Sequence, residues 1–330
     1  MLLSQFIRSG AAALEALYPP REARSLVLRL CEDMLGVDSY THIVEPSFEV
    51  PADSEPALCA ALERLASGEP LQYVTGWQEF CGRRFTVGPD VLIPRPETEL
   101  LVQEALGFAR GMGGDVRVLD LCTGSGCIAW TLALELPGAS VTAVDISETA
   151  LEIARHQFSS PAGIPSPGAS LRSSLPRQKR GPLPFTWPRA ATVPGDGIPA
   201  GEEKDGHGPE FVRMDVLELP DEMPGAPFDI IVANPPYICE KEKAAMHRNV
   251  LIHEPAIALF VPDDDPLVFY RAIAAWALRF LRSGGWGIVE INETLGGETL
   301  ELFLGAGLEK VRKISDFFGK DRFVSFQKVA

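Results

Sequence analysis

The sequence predicts an α/β fold with a doubly wound, Rossmann-like sheet, an antiparallel C-terminal edge and a small helical N-terminal domain. From Val116 onward, strand and helix patterns alternate, which is typical of a mostly parallel sheet covered by helices. Two closing strands around a short turn predict the antiparallel edge. Over the first 70 residues, apolar side chains recur at helical spacing.

The first 95 residues contain two different patterns. In residues 1–70, apolar residues recur every three or four positions, namely Leu26, Val27, Leu30, Met34 and Leu35, and then Leu58, Ala61, Leu62 and Leu65. This spacing predicts a separate helical domain. In residues 71–95, Phe80, Phe85 and Val87 lie among glycines, which predicts a β-hairpin linker.

Residues 96–330 predict one sheet domain that begins with a helix from about Glu97 to Gly111. The predicted strands are Val116–Leu121, Ser140–Asp145, Glu210–Met214, Phe228–Ala233 and Trp286–Ile291, followed by the closing pair Leu308–Ser315 and Arg322–Lys328. The helices between them are Ile128–Leu136, Thr149–Phe158 and Leu267–Leu281. A doubly wound sheet follows from this alternation.

Residues 159–208 interrupt the alternation. They are rich in Pro, Gly and Ser, with a basic stretch around Arg177 and an acidic end around Glu202. A segment without apolar periodicity buries too little surface to offset its ordering entropy. We therefore expect a flexible insertion, and the alternative is a basic arm that binds RNA or a partner.

The composition limits the classes of function. A net charge of -15 argues against broad binding to nucleic acid. The six cysteines form no CxxC pair and have no histidines at metal-ligand spacing, so we expect reduced thiols and no metal site in a cytoplasmic protein. No apolar run is long enough to cross a membrane. We expect a monomer.

A glycine loop follows the first strand of the sheet domain. Cys122, Thr123, Gly124, Ser125 and Gly126 lead from that strand into a helix, and glycines allow close approach of the backbone to a ligand at a helix N-terminus. The next strand ends at Asp145, where a carboxylate can accept hydrogen bonds from ribose hydroxyls. Both features fit a nicotinamide cofactor or S-adenosylmethionine.

Asp120 favours S-adenosylmethionine. A carboxylate at the tip of the first strand can bind a positively charged amino-acid tail, whereas it would repel a dinucleotide pyrophosphate. The alternative is an acid that only caps the helix. Asp215 and Val216 end the third strand, where an acid and an apolar residue could hold adenine. Asp215 could also be an ordinary loop acid.

The most specific motif is the corner Asn234-Pro235-Pro236-Tyr237 after the apolar strand Phe228–Ala233. Prolines fix φ and lack an N–H donor, so the backbone is stiff and its carbonyls remain free to accept hydrogen bonds. The Asn234 side-chain oxygen and the Pro235 carbonyl can therefore each accept one hydrogen of a planar NH2 group. Tyr237 offers a flat face to it. Such a corner suits methylation of the NH2 nitrogen, and the alternative is a proline-rich turn.

These residues resemble the PrmC/HemK family. The resemblance is carried by Asp120 to Gly126, Asp145, the Asn-Pro-Pro-Tyr corner, the stretch Ile93-Pro-Arg-Pro-Glu-Thr-Glu99, Gly68 to Gly76 and His253-Glu-Pro-Ala256. It implies a Rossmann-like methyltransferase sheet and a glutamine-modifying enzyme for peptide chain release factors. It further implies that Cys122 to Gly126, Asp145 and Asn234 contact the cofactor, and that Asn234 to Tyr237 hold the glutamine.

Three functions compete at this point. The first is transfer of a methyl group from S-adenosylmethionine to a glutamine amide in a Gly-Gly-Gln loop of a release factor, with residues 1–70 recognising that protein. The second is adenine-N6 methylation of nucleic acid, which needs a basic groove that this acidic chain does not display. The third is a non-catalytic cofactor-binding scaffold. Arg95 and Glu254 are candidate supports of the site or a surface ion pair.

Overall fold

The computed structural model describes residues 1–158 and 208–329. The predicted insertion at 159–208 therefore lies, except for its last residue, outside the described residues. The described chain falls into two units. The first contains Met1–Trp77 together with the later segment His247–His253, and the second contains the remaining described residues.

Helices form the first unit. They are α1 (Leu3–Leu14), α2 (Pro20–Leu35), α3 (Thr41–Val44), α4 (Glu55–Ala66), α5 (Leu71–Thr75) and, numbered in chain order, α9 (Arg248–His253). Val27, Leu30 and Leu35 lie one or two turns apart on α2 and are buried, as their spacing predicts. The later segment joins this unit because the Asn249 amide bonds the Tyr18 hydroxyl and His247 stacks on the Tyr18 ring at 6.0 Å.

A two-stranded hairpin begins at the last residue of the first stretch, Trp77, and continues into the second unit. It is made of β1 (Trp77–Phe80) and β2 (Arg83–Thr86), with Gly82 in the left-handed region at its turn. The hairpin is shorter than the predicted linker 71–95, because Leu71–Thr75 forms helix α5. Gly76 ends that helix with a left-handed φ of 81°, a conformation that favours glycine.

The main sheet has seven strands in the order β10-β11-β9-β6-β3-β4-β5. Its strands are β3 (Arg117–Leu121), β4 (Ser140–Asp145), β5 (Glu210–Arg213), β6 (Phe228–Ala233), β9 (Leu281–Glu290), β10 (Glu309–Ser315) and β11 (Asp321–Gln327). Strands β9, β6, β3, β4 and β5 are parallel, while β11 and β10 add antiparallel pairs. The predicted doubly wound sheet with an antiparallel C-terminal edge is confirmed.

Within the described ranges, five α-helices belong to the same unit as the sheet. They are α6 (Thr98–Met112), α7 (Cys127–Glu135), α8 (Glu148–Arg155), α10 (Val268–Phe280) and α11 (Gly296–Gly305). A short pair, β7 (Ile238–Cys239) and β8 (Phe260–Val261), follows the Asn-Pro-Pro-Tyr corner. The largest buried side chains of the core include Trp276 and Tyr270 from α10 and Phe303 from α11. Every helix in the described ranges is too short or too polar to cross a membrane.

The strand register brings the predicted polar residues to one edge. Leu121 of β3 pairs with Val144 of β4 and with Ala233 of β6, and Ala233 pairs with Val289 of β9. The residues at or after these strand ends therefore meet at the carboxyl edge of the parallel strands. In open α/β sheets this edge is where ligands bind.

Candidate active site

The glycine loop connects β3 to α7 through a chain of left-handed residues. Cys122, Gly124 and Gly126 have φ values of 61°, 53° and 77°. A Cβ atom added to Gly126 would lie 2.9 Å from the Ala154 Cβ, so this position requires glycine for packing as well as for conformation. The Thr123 N–H donates to the Val144 carbonyl at 3.0 Å and fixes the loop to β4.

Asp120 is buried under this loop with one oxygen left over. Its Oδ2 accepts a hydrogen bond from Thr123 Oγ1 at 2.6 Å, while Oδ1 has no hydrogen-bond partner within the described part of the chain. Burial, with a smaller contribution from the nearby Asp145, raises the pKa of Asp120 to about 7. The Thr123 hydroxyl and the N–H of Ala129 oppose this shift, the latter without reaching hydrogen-bonding geometry.

Asp145 ends β4 and is held by two backbone donors. The Gly124 N–H donates to Oδ2 at 2.8 Å, and the Ser147 N–H donates to Oδ1 at 2.9 Å. These bonds join the glycine loop to the start of α8, where the Ser147 hydroxyl caps the helix. Burial raises the pKa of Asp145 and the two N–H donors lower it. Each carboxylate oxygen keeps a lone pair for a further donor.

A buried glutamine ties the glycine loop to the β1–β2 hairpin. Gln157 Nε2 donates to the carbonyls of Ser125 and Thr86, both at 2.9 Å, and its Oε1 accepts from the Thr86 N–H at 2.7 Å. Burial raises the pKa of the Cys122 thiol well above its ordinary value, so this side chain stays neutral beside the carboxylates.

Asp215 and Val216 follow β5 and have different surroundings. Asp215 Oδ1 accepts from the Leu217 N–H at 2.8 Å, a bond that an ordinary loop acid also makes. Val216 is buried in the main core, and its carbonyl accepts from Trp276 Nε1 at 2.9 Å. Beside them, Leu217 exposes 45% of its surface, and Ile146 after Asp145 exposes 40%. Sequence reasoning did not select these two apolar residues.

The Asn-Pro-Pro-Tyr corner begins directly after β6. Pro235 and Pro236 are buried, and Asn234 and Tyr237 are half-buried. Asn234 Nδ2 donates to Thr98 Oγ1 at 3.2 Å, which leaves Oδ1 as the amide atom able to accept from a bound group. Tyr237 donates its hydroxyl to Glu290 Oε1 at 3.0 Å.

Comparison with known proteins gives this edge of the sheet a context. A family model described as the PrmC N-terminal domain matches residues 5–76, and a methyltransferase domain model matches residues 118–170. A release factor glutamine methyltransferase of Bacteroides thetaiotaomicron is 39% identical over 323 residues, covering 98% of both chains. This chain belongs to the release factor glutamine methyltransferase family.

Two further relatives carry the same description. The protein of Flavobacterium psychrophilum is 32% identical over 98% of both chains. That of Koribacter versatilis is 35% identical over 92% of this chain and 90% of its own. Since these alignments span nearly the whole length, membership in this methyltransferase family applies to both units of the chain.

Thr98, in the stretch Ile93 to Glu99 that marks the family resemblance, lies against the corner. Its hydroxyl donates to Glu290 Oε2 at 2.7 Å and accepts from Asn234. Three residues before Thr98, Arg95 Nη2 lies 2.7 Å from Glu254 Oε1, and the Ile93 N–H donates to Glu254 Oε2 at 3.3 Å. The Glu254 side chain is 1% exposed and the Arg95 side chain 33% exposed, so the ion pair is partly buried.

Sequence reasoning missed Glu290 and Asn292 as residues that support the corner. Asn292 Nδ2 donates to the Tyr237 carbonyl at 3.1 Å and to Glu242 Oε1 at 2.9 Å. The available signal was a charged residue ending the apolar run Gly287-Ile-Val-Glu290, because Asp120 and Asp145 mark the same edge in the same way.

Proposed function

We propose that this chain transfers a methyl group from S-adenosylmethionine to the side-chain amide nitrogen of a glutamine in a peptide chain release factor. Membership in the family supports the reaction class and the substrate. The observation that carries the proposal is the position of the corner: Asn234 follows β6, directly beside β3 with its buried and half-satisfied Asp120. A carboxylate that can bind a positively charged cofactor group and an amide oxygen that can accept from an NH2 group can therefore lie side by side.

The Asp120 oxygen that has no partner among the described residues indicates which class of cofactor fits the site. A buried carboxylate oxygen without a hydrogen bond is costly, and it is satisfied by a cation bearing N–H donors. The amino-acid tail of S-adenosylmethionine carries such an ammonium group. A dinucleotide pyrophosphate would instead place negative charge against Asp120. The residues present therefore fit S-adenosylmethionine.

The remaining contacts follow from the edge of the sheet. We assign the loop Cys122 to Gly126 to the amino-acid tail and Asp145 to the ribose hydroxyls. Asp215 and Val216 remain the proposed adenine contacts, and exposed Ile146 adds apolar surface beside them. When bound, S-adenosylmethionine would supply a methyl group carried on a positively charged sulfur.

The corner addresses the difficulty of this reaction. An amide nitrogen is a poor nucleophile because its lone pair is delocalised into the carbonyl. Two acceptors, Asn234 Oδ1 and the Pro235 carbonyl, would hold the NH2 group by its two hydrogens and fix the direction in which the nitrogen faces. Fixed orientation of this kind can contribute up to ~7–11 kcal/mol to catalysis.

The partner is a whole release factor, and the glutamine lies in its Gly-Gly-Gln loop. We assign recognition of the rest of that protein to residues 1–70, since contacts remote from the reacting group can be used to orient it. Exposed Tyr40, Ile43 and Val44 on and beside α3 offer apolar surface for this purpose. We further propose a monomeric enzyme that works in the cytoplasm, where release factors act, without binding nucleic acid directly.

A labelled-methyl assay tests the proposal with three substrates: a whole release factor, the isolated loop peptide, and a mixture of DNA and RNA. We expect strong labelling of the release factor, much weaker labelling of the peptide and none of the nucleic acids. Mass spectrometry should locate the methyl group on the glutamine of the Gly-Gly-Gln loop. Labelled adenine would instead establish the rival adenine-N6 function, and labelling of no substrate would favour a non-catalytic scaffold.

The helical unit has its own test in the full-length chain. The double variant Ile43→Ser and Val44→Ser should raise KM for the whole release factor and leave KM for the loop peptide unchanged. The pair Leu278→Ser and Leu304→Ser is a matched control, because both side chains are exposed apolar residues of the sheet unit. Equal behaviour of the two double variants would remove the assigned role of α3.

A further inference from the structure

Glu290 is a buried carboxylate that serves two hydroxyl groups of the candidate site. It is the last residue of β9 and is 2% exposed. Its Oε2 accepts from Thr98 Oγ1 at 2.7 Å, and its Oε1 accepts from the Tyr237 hydroxyl at 3.0 Å. The Tyr270 hydroxyl donates to its backbone carbonyl at 3.3 Å, which fixes the strand end.

We infer that Glu290 is a positioning residue that acts through Thr98 to determine which end of the Asn234 amide faces the substrate. This inference rests on the proposed function and adds residues to it that neither the motif nor the family resemblance assigns. Glu290 itself does not contact the reacting atoms. Its effect passes along the three groups Glu290, Thr98 and Asn234.

The direction of each hydrogen bond determines the orientation of the Asn234 amide. An ionised carboxylate only accepts, so the Thr98 hydroxyl must direct its hydrogen to Glu290. The Thr98 oxygen then has only lone pairs to offer Asn234, and these select the NH2 end of the amide. Asn234 Oδ1 is consequently presented to the bound group. Without Glu290, the Thr98 hydroxyl could donate to Asn234 Oδ1, and the amide could turn over. Its NH2 end would then face the NH2 group of the substrate, and neither group could accept from the other.

Tyr237 completes the arrangement on the other oxygen of Glu290. The same carboxylate holds the phenol hydroxyl and, through Thr98, the amide at opposite ends of the four-residue corner. Burial raises the pKa of Glu290, and the hydrogen bonds from Thr98 and Tyr237 lower it. Because charge-assisted hydrogen bonds are stronger than neutral ones, an ionised Glu290 holds both hydroxyls in a single direction.

The small number of asparagines allows the orientation of the Asn234 amide to be followed by NMR. It contains three asparagines, Asn234, Asn249 and Asn292. Protein labelled with 15N in the asparagine side-chain amide should therefore give three pairs of NMR signals, which variants of each asparagine assign. Asn249 serves as the internal reference, because it lies in the helical unit and bonds Tyr18 of that same unit.

The decisive comparison uses two substitutions at Thr98 and a control. Thr98→Val keeps the shape and removes the hydroxyl, whereas Thr98→Ser keeps the hydroxyl. Thr299→Val is the matched control, because Thr299 is also fully buried in the sheet unit and its hydroxyl has no partner among residues 1–158 and 208–329. Glu290→Gln tests the carboxylate, since Thr98 and Tyr237 donate to different oxygens of Glu290 and a carboxamide would place a donor NH2 group against one of them.

We expect Thr98→Val and Glu290→Gln to move the Asn234 signals, with Asn249 unchanged, and to lower kcat by about tenfold to 10²-fold, as expected for a misoriented reacting group. The Kd for S-adenosylmethionine should change much less than kcat. Thr98→Ser should recover most of the kcat lost in Thr98→Val, and Thr299→Val should move neither the signals nor kcat.

The inference is overturned if the Asn234 signals stay in place in Thr98→Val, or if Thr98→Val and Thr98→Ser lose kcat equally. A loss of S-adenosylmethionine binding as large as the loss of kcat would also overturn it, because the effect would then arise at the cofactor and not at the orientation of the glutamine. Failure of the parent enzyme to methylate a release factor would refute the proposed function alone. In that case the NMR comparison still decides whether Thr98 and Glu290 orient Asn234.

Discussion

Binding of S-adenosylmethionine should weaken steeply as the pH falls below 7, because Asp120 must be ionised to pair with the ammonium group of the ligand. Asp120 is fully buried, and its pKa in the ligand-free protein is raised to about 7. Below that pH the carboxyl is mostly protonated, and its proton must leave before the pair can form. The α-amino group of the ligand remains charged throughout this range, since such groups titrate near 7.7–8.0.

The magnitude follows from the fraction of Asp120 that is ionised. With a pKa of about 7, this fraction is roughly one half at pH 7 and about 3% at pH 5.5, so linkage predicts a rise in Kd of about sixteenfold. At pH 6, where about 90% of the free protein carries the proton, binding should release about 0.9 proton per ligand. The raised pKa of Asp145 acts in the same direction, which makes an Asp120 variant necessary.

Calorimetry at pH 5.5, 6 and 7 in two buffers with different ionisation enthalpies measures both quantities. Asp120→Asn keeps the side-chain shape and does not titrate. This variant should bind S-adenosylmethionine roughly 10–150-fold more weakly at pH 7, as expected from losing ~1.5–3 kcal/mol of a charged hydrogen bond. Its further weakening at lower pH should be smaller than that of the parent, because only Asp145 then contributes. A parent Kd that is flat from pH 5.5 to 7, or equal pH slopes in parent and variant, would refute the pairing.

The same group should affect stability without ligand. Because the pKa of Asp120 is raised from its ordinary value to about 7 in the folded protein, its contribution is present at low pH and is lost as the pH rises through about 7. Asp120→Asn should therefore become more stable relative to the parent between pH 5 and pH 7.5 in urea unfolding. Identical trends would contradict the raised pKa.

Three further predictions concern the remaining site residues. Asn234→Ala should lower kcat by ~10²–10³, by analogy with losing one preorganised polar contact, and should change the Kd for S-adenosylmethionine little. Labelled methyl transfer measures kcat and calorimetry measures Kd. Near-normal turnover would refute the assignment. Asp145→Ala should raise that Kd in line with ~1.5–3 kcal/mol, while unchanged binding would contradict its role at the ribose. Glu254→Gln should lower the free energy of unfolding, measured with urea, by about 1–3 kcal/mol. Glu301→Gln is the control, because Glu301 is exposed. Equal stability of the two variants would show that the ion pair between Glu254 and Arg95 contributes nothing.

The sequence predicted the sheet more completely than the site. Strand ends could be located because apolar runs such as Phe228–Ala233 are bounded by polar residues, and parallel strands bring those ends together. Helix α11 was not predicted, since its sequence Gly296–Gly305 begins and ends with glycines that favour loops. The helix within 71–95 was missed because five residues are too few to show helical periodicity.

The missing part of the site depends on contacts between residues far apart in the chain. Thr98 and Glu290 are separated by 192 residues, and no local pattern connects them. Thr98 lay in a stretch selected only by resemblance, and Glu290 was counted as part of a strand. Motif reasoning identifies residues that face a ligand, whereas the residues that orient them emerge only when the strands are paired.

The seven residues His247–His253 have a practical consequence for engineering this enzyme. They belong to the helical unit, although the chain that precedes and follows them belongs to the sheet unit. Among residues 1–158 and 208–329, the helical unit is thus assembled from two stretches of polypeptide, and cutting the gene near position 77 would separate them. Attempts to exchange this unit between relatives, to fuse it to another enzyme or to express it alone should carry both stretches, joined by a designed linker, or work by point substitution in the intact chain.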